Sequence, residues 1–138
     1  MEEKTCRLET RMIVVDTDIA IEYLRGNEKV IKFINQSEDV YTTQITLAEL
    51  FYGLYNGSAA TKYWKMLGAF VGGMQILSLD VGSCKLFGKI KSTLKKKGKP
   101  IQDFDMLIAA ITMTYDGTLV TRNKKHYEKV DGLQILIL

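Results

Sequence analysis

Cysteine, histidine and long apolar runs are scarce in this sequence, and each shortage excludes a class of site. The chain of 138 residues has two cysteines, Cys6 and Cys84, and no CxxC pair. That count argues against a disulfide framework or a zinc site and fits a reducing cytoplasm. His126 is the single histidine, so neither a two-histidine metal site nor a histidine-based acid–base pair can form.

No apolar run approaches the roughly 20 residues that a membrane-spanning helix needs, so we expect no membrane segment. Charged residues alternate over residues 1–11, and no apolar stretch of the signal-peptide kind follows them. We therefore expect a flexible N-terminal tail over residues 1–11 and a single domain over residues 12–138. The expected location is the cytoplasm.

Positive charge is modest in total but clustered. The net charge is +3, and seven of the lysines lie between Lys85 and Lys99. Clustered cations release counterions from a phosphate backbone, which makes this segment a candidate nucleic-acid surface. The alternative is a solvated helix face. The candidate RNA-binding residues are Lys95, Lys96, Lys97, Arg122 and Lys124.

Strand-like and helix-like segments alternate along the chain. Short apolar, β-branched stretches predict strands over residues 12–16, 40–43, 75–79, 118–122 and 134–138. Apolar residues at helical spacing predict helices between them, and Cys84 falls in phase with Phe87, Ile90 and Leu94, which indicates a core position. This order predicts an α/β fold with a largely parallel five-stranded sheet.

Four polar residues follow predicted strands or begin predicted helices. Asp16 ends the first strand, Glu49 lies in the first turn of the helix after the second strand, and Asp105 lies in the first turn of the helix after Pro100. Asn123 follows the fourth strand. Sites in such sheets form outside the carboxyl ends of the strands, so these residues are expected to meet at one edge.

Carboxylates gathered in one cleft repel each other and raise each other's pKa unless a cation lies among them. Mg²⁺ and Mn²⁺ prefer oxygen ligands, and Mg²⁺ needs only one or two carboxylates besides water and substrate phosphate. Such a cation can activate water or stabilise the leaving oxygen of a phosphodiester. A divalent cation among these carboxylates would therefore fit phosphodiester chemistry.

Each of these residues also has a purely structural interpretation. Asp16 can cap the helix that begins near Ile19. Glu49 fits a capping box with Thr46. Asp105 suits the positive end of a helix dipole, and Asn123 is a common turn residue. Only their coincidence at one sheet edge favours a site.

Four segments resemble the motifs of VapC-like PIN domains, in order and over residues 12–138. Residues 13–26 (IVVDTDIAIEYLRG) resemble the opening strand and helix, and residues 45–53 (ITLAELFYG) resemble the second motif. Residues 103–110 (DFDMLIAA) and residues 119–127 (LVTRNKKHY) resemble the third and fourth. One such motif is weak, whereas four in order are a strong signal.

The resemblance implies a Rossmann-like parallel sheet with helices on both faces and RNA cleavage that depends on Mg²⁺ or Mn²⁺. It also implies that Asp16, Glu49 and Asp105 form the acidic centre, with Asn123 as the fourth catalytic position. A toxin of this kind is expected to cut tRNA or another structured RNA, to be inhibited by a VapB-like antitoxin and to form a homodimer. Many members carry Asp where this chain has Asn123, which puts a second metal in question.

Two other functions compete with this one. The segment Asp16-Thr17-Asp18 superficially matches the opening motif of haloacid-dehalogenase-like phosphatases, but Ala20 departs from that motif and Glu49 is left unexplained. A PIN scaffold that binds RNA or protein without cutting is the second alternative, and Asn123 is its only support.

Overall fold

The sheet is parallel throughout and has five strands, as predicted. The structure is a computed structural model that describes residues 12–57 and 61–138. The predicted tail, residues 1–11, lies outside those ranges. Within them the strands are β1 (Ile13–Val15), β2 (Val40–Thr43), β3 (Gln75–Leu77), β4 (Thr118–Thr121) and β5 (Gln134–Ile137). Their order across the sheet is β3-β2-β1-β4-β5, and every neighbouring pair is parallel.

In the described part of the chain, seven helices connect or flank these strands. They are α1 (Thr17–Leu24), α2 (Glu28–Gln36), α3 (Gln44–Asn56), α4 (Thr61–Gly73), α5 (Val81–Lys96), α6 (Asp103–Thr114) and α7 (Lys124–Tyr127). The connection between the last two strands contains the single-turn helix α7. Over residues 12–57 and 61–138, no helix is long and apolar enough to cross a membrane.

Helices cover both faces of the sheet, as the resemblance implies. Val14 on β1 packs in one cluster with Leu94 of α5 and Ile108 of α6. Its neighbours Ile13 and Val15 pack on the opposite face, with α1, α2 and α4. Successive residues of a strand point to opposite faces, so a strand that is apolar at every position needs helices on both sides.

The turn from α6 into β4 holds the two central strands close together. Thr118 at the start of β4 pairs with Ile13 of β1, and a Cβ on Gly117 would lie 2.8 Å from Cγ2 of Val14. A side chain at this position would force the buried Val14 side chain to shift. Gly117 therefore favours close packing of the turn against β1.

Three interpretations of local structure were wrong. Cys84 is exposed, because α5 begins after Asp80 and buries Ser83, Ile90 and Leu94 instead. Helix α3 begins at Gln44, which places Glu49 in its second turn. The capping box between Thr46 and Glu49 does not form; Thr43 caps this helix and accepts the Thr46 N–H at 3.1 Å.

Candidate active site

Asp16 lies at the centre of the carboxyl edge of the sheet and is only 4% exposed. Its Oδ1 accepts the Thr17 N–H at 2.8 Å and lies 3.2 Å from the Tyr127 hydroxyl. Its Oδ2 accepts the hydroxyl of Thr121, the last residue of β4, at 2.7 Å. The side chain thus caps α1 and also faces the other acids, so Asp16 has both the structural role and the site role.

Asp105 lies on the other side of the Tyr127 hydroxyl from Asp16. It is the third residue of α6, and its Oδ1 is 3.3 Å from the Tyr127 hydroxyl. Its Oδ2 is 2.9 Å from Nδ1 of His126. Two carboxylates that are far apart in the sequence therefore meet at one buried phenol, which has a single proton to donate.

Glu49 joins this group through Thr17. The Thr17 hydroxyl donates to Oε1 of Glu49 at 2.7 Å and lies 3.1 Å from Oγ1 of Thr46. Thr46 in turn lies 3.3 Å from Oγ1 of Thr43, at the end of β2. A row of threonine hydroxyls from β2 to α1 thus orients the glutamate.

Asn123 reaches the acids only through a neighbour. Its backbone N–H donates to Oγ1 of Thr121 at 3.0 Å, and its side-chain nitrogen lies 2.9 Å from Nδ1 of His126. The side chain makes no capping bond to α7. The structure therefore brings all four sequence-predicted residues to one edge, three as carboxylates and the fourth behind an imidazole.

Burial, together with repulsion from nearby carboxylates, makes Asp16 and Glu49 costly to ionise. Burial raises the pKa of Asp16 to about 7; the nearby charges of Asp18 and Asp105 add to this, and hydrogen bonds from Thr121 and Thr17 oppose it. Burial also raises the pKa of Glu49, with Asp105 and Asp18 adding to it. The pKa of Tyr127 lies well above its usual value because the phenol is buried among carboxylates, so its hydroxyl stays a donor.

The donor set suits a hard divalent cation. Among residues 12–57 and 61–138, no three His, Cys, Asp or Glu side chains converge into a complete metal cage. Mg²⁺ does not need one, since it keeps several waters and uses one or two carboxylates. Asp16 and Asp105 supply such a pair, and a cation would relieve the repulsion between them.

Arg122 forms hydrogen bonds that link three segments of the chain. Its backbone N–H donates to Oδ2 of Asp18 at 3.0 Å, and its Nε donates to Oε2 of Glu22 at 2.5 Å. Its Nη1 donates to the carbonyl of Leu138. These bonds tie β4 to α1 and to the end of β5, and they occupy the guanidinium that was predicted to bind RNA.

The predicted RNA-binding lysines differ in their surroundings. Lys97 pairs with Asp131 at 3.2 Å, and both side chains are largely exposed. Lys95, Lys96 and Lys124 are exposed, and no ion pair involves them in the part of the chain that the structure describes. All four lysines are therefore accessible to an anionic partner, which at Lys97 would replace the exposed Asp131.

The sequence interpretation missed three residues that contact the acids: Thr17, His126 and Tyr127. Thr17 was hidden because a threonine after an aspartate is already explained by capping. His126 was considered only as the single histidine, and Tyr127 was not singled out. A four-residue helix turns both side chains back over the sheet edge, and such a short element has no periodicity to detect.

A model of the PIN domain matches residues 13–133. The chain is 26% identical over 124 residues to the tRNA(fMet)-specific endonuclease VapC of Shigella flexneri, covering 88% of this chain and 93% of that protein. It is 28% identical over 123 residues to ribonuclease VapC2 of Haemophilus influenzae, again with 88% and 93% covered. The predicted resemblance to VapC-like proteins is confirmed, and the phosphatase alternative is wrong.

Solved structures agree with this assignment. The chain superimposes on VapBC2 from Rickettsia felis bound to a promoter DNA fragment with a TM-score of 0.86 and 21% identity, covering 92% of this chain and 98% of that one. For FitAcB from Neisseria gonorrhoeae, the TM-score is 0.78 at 27% identity, with 91% and 96% covered. With nearly the whole fold matched by the family model and by these structures, the chain belongs to the PIN-domain family.

Proposed function

We propose that this chain is an endoribonuclease that hydrolyses RNA phosphodiester bonds with the help of Mg²⁺ or Mn²⁺, and that it is the toxin of a toxin–antitoxin pair. The observation that carries the proposal is the meeting of Asp16 and Asp105 at the Tyr127 hydroxyl, with Glu49 close by. The VapC relatives, which are named as ribonucleases and endonucleases, support RNA as the substrate.

Asp16, Glu49 and Asp105 would hold the cation, and their neighbours would keep them in place. A bound Mg²⁺ or Mn²⁺ supplies a Lewis acid that polarises the phosphodiester and lowers the pKa of water. Thr121 fixes Oδ2 of Asp16, and Thr17 fixes Oε1 of Glu49. Because these groups are already oriented, little reorganisation is left for the moment of reaction.

Substrate and partners follow from the relatives. We propose tRNA or another structured RNA as the substrate, since the Shigella flexneri relative is named for tRNA(fMet). The structural neighbours include VapBC complexes, which supports a VapB-like antitoxin as partner. A homodimer and a cytoplasmic location belong to the same proposal.

One measurement distinguishes a nuclease from a scaffold that binds RNA without cutting it. Purified protein is incubated with structured RNA in Mn²⁺ and, in parallel, in EDTA. Cleavage that appears in Mn²⁺, disappears in EDTA and disappears in Asp16→Asn supports the nuclease. Binding without cleavage under every condition supports the scaffold.

The lysines at the end of α5 give a prediction about RNA binding. We expect Lys95→Gln, Lys96→Gln and Lys97→Gln together to weaken binding and to flatten its salt dependence. Each phosphate that a lysine no longer neutralises lowers the magnitude of the slope of log affinity against log salt by about 0.7 in single strands and about 0.9 in duplexes, so the three together lower it by at most about 3. Binding is measured in the cleavage-deficient Asp105→Asn background between low and moderate salt.

The matched control removes the same number of positive charges from a different part of the surface. Lys29 and Lys32 on α2 and Lys65 on α4 are exposed lysines, and their triple replacement by Gln changes the net charge equally. We expect a smaller effect on the slope from this control. Equal slopes for the two triple variants would show that the α5 lysines are only a solvated face.

The acidic cleft gives a prediction about the antitoxin. A basic side chain of the antitoxin, best an arginine, can pair with carboxylates and would then compete with the cation. We therefore expect inhibition by antitoxin to weaken as Mg²⁺ or Mn²⁺ rises at constant ionic strength. Glu49→Gln should weaken antitoxin binding several-fold more than Glu28→Gln, which changes an exposed residue on α2. Inhibition that is constant across the metal range would reject this mechanism and leave the nuclease assignment intact.

A further inference from the structure

The fourth position of the site acts through a residue that the sequence motifs do not single out. We propose that His126 is a positioning residue, which orients Asp105 for cation binding, and that Asn123 serves the site by holding His126 rather than by binding the cation. The inference rests on the proposed function, since it concerns how the same acidic site takes its cation.

Asp105 is held from two sides by two adjacent residues. His126 lies 2.9 Å from Oδ2, and the hydroxyl of Tyr127 lies 3.3 Å from Oδ1. Both belong to α7, which begins directly after Asn123. Each carboxylate oxygen has two lone-pair directions, so each keeps one direction for a cation or a water molecule. The carboxylate plane is thereby fixed without using up its ligand capacity.

The identity of residue 123 fits this arrangement. Nδ1 of His126 faces both Oδ2 of Asp105 and the side-chain amide of Asn123, each at 2.9 Å. With the ring proton assigned to Nδ1, this nitrogen donates to Asp105, and a half-turn of the Asn123 amide then presents the amide oxygen to the same nitrogen. An aspartate at position 123 would compete with Asp105 for that proton. The neutral amide supports the ring and leaves Asp105 as its charged partner.

A histidine that hydrogen-bonds to a metal-binding carboxylate affects the affinity for the metal more than the stability of the fold. Partners outside the ligand set orient the ligands and tune their basicity, and their loss typically costs about 10- to 100-fold in metal affinity or activity. The His126 side chain is 38% exposed, so replacing it leaves no large cavity. The competing explanation is that the exposed imidazole contacts RNA directly.

Two amide replacements of His126 distinguish the contribution of Nδ1 from that of Nε2. In His126→Asn the side-chain nitrogen is attached to Cγ, as Nδ1 is, and can still donate to Asp105. In His126→Gln the nitrogen lies one bond farther out, near the position of Nε2, and the bond to Asp105 is lost. Mn²⁺ affinity of the full chain is measured by isothermal titration calorimetry without RNA. kcat and KM are then measured at saturating Mn²⁺.

We expect His126→Gln and His126→Ala to bind Mn²⁺ about 10-fold or more weakly and to lower kcat, with KM for RNA within about threefold of the wild type. His126→Asn should restore most of the Mn²⁺ affinity. Mn²⁺ affinity that is equal in His126→Gln and the wild type would overturn the inference, as would a change confined to KM. A wild-type chain that binds no Mn²⁺ would overturn the proposed cation dependence as well, which distinguishes the two failures.

Asn123 gives an independent check by non-additivity. Residues that act through one another show coupling, whereas independent residues have additive effects. We expect Asn123→Ala to weaken Mn²⁺ binding severalfold in the wild type and to have no further effect in His126→Ala. A full additional loss in His126→Ala would show that Asn123 acts on the cation directly and would overturn this part of the inference.

Discussion

Asp16→Asn and Asp105→Asn are each expected to lower RNA cleavage at least about 100-fold while the protein stays folded. A divalent cation stabilises charge in the transition state by several kcal/mol, and each 1.36 kcal/mol corresponds to a factor of about ten in rate. Asn keeps the size of the side chain but removes the charge that holds the cation. Single-turnover cleavage of a labelled structured RNA in Mn²⁺ measures the effect.

Asp103→Asn is the matched control for both variants. Asp103 lies two residues before Asp105 on α6, and its exposed carboxylate pairs with Lys91 at 2.9 Å instead of facing the site. An exposed ion pair of this kind contributes about 1 kcal/mol or less to stability. We expect near wild-type cleavage from Asp103→Asn. Substantial activity in folded Asp105→Asn or Asp16→Asn would reject the assignment of that residue.

The fold was predictable because its signals are local and repeated. Each central strand is a short run of β-branched apolar residues, such as Ile13–Val15, and the helices between strands have an apolar stripe. Alternation of the two types favours a parallel sheet covered by helices. Boundaries were less predictable, because Thr43 caps α3 before the apolar stripe begins.

The meeting of the acids was predictable because parallel topology sends strand ends to one edge whatever their separation in sequence. The residues that hydrogen-bond to the acids were not predictable, because contacts such as Thr17 to Glu49 or Tyr127 to Asp16 depend on side-chain geometry. A buried tyrosine in an apolar pattern is usually core, and Tyr127 does pack in the core with its ring. Only the position of its hydroxyl shows that the residue also contacts the acids.

Asp16→Asn is also expected to stabilise the metal-free protein at alkaline pH by about 2–4 kcal/mol. Burial raises the pKa of Asp16 from 3.8 to about 7 in the folded state, and this difference corresponds to an ionisation cost of about 4 kcal/mol. Asparagine at position 16 carries no such cost, and its oxygen can still accept the Thr17 N–H or the Thr121 hydroxyl. Urea unfolding in EDTA measures the free energy of unfolding of both proteins.

The pH dependence of this difference has a definite sign. Between pH 3.8 and about 7 the folded state holds a proton on Asp16 that the unfolded state has lost, so wild-type stability falls as pH rises and the loss is complete above about pH 7. The advantage of Asp16→Asn should therefore grow from pH 4 to pH 7 and then level off, and Asp103→Asn should show no such growth. Added Mn²⁺ at pH 8 should stabilise the wild type more than Asp16→Asn, because the cation offsets the cost of the buried negative charge. Parallel stability curves for wild type and Asp16→Asn across this range would mean that Asp16 carries no costly buried charge for a cation to offset.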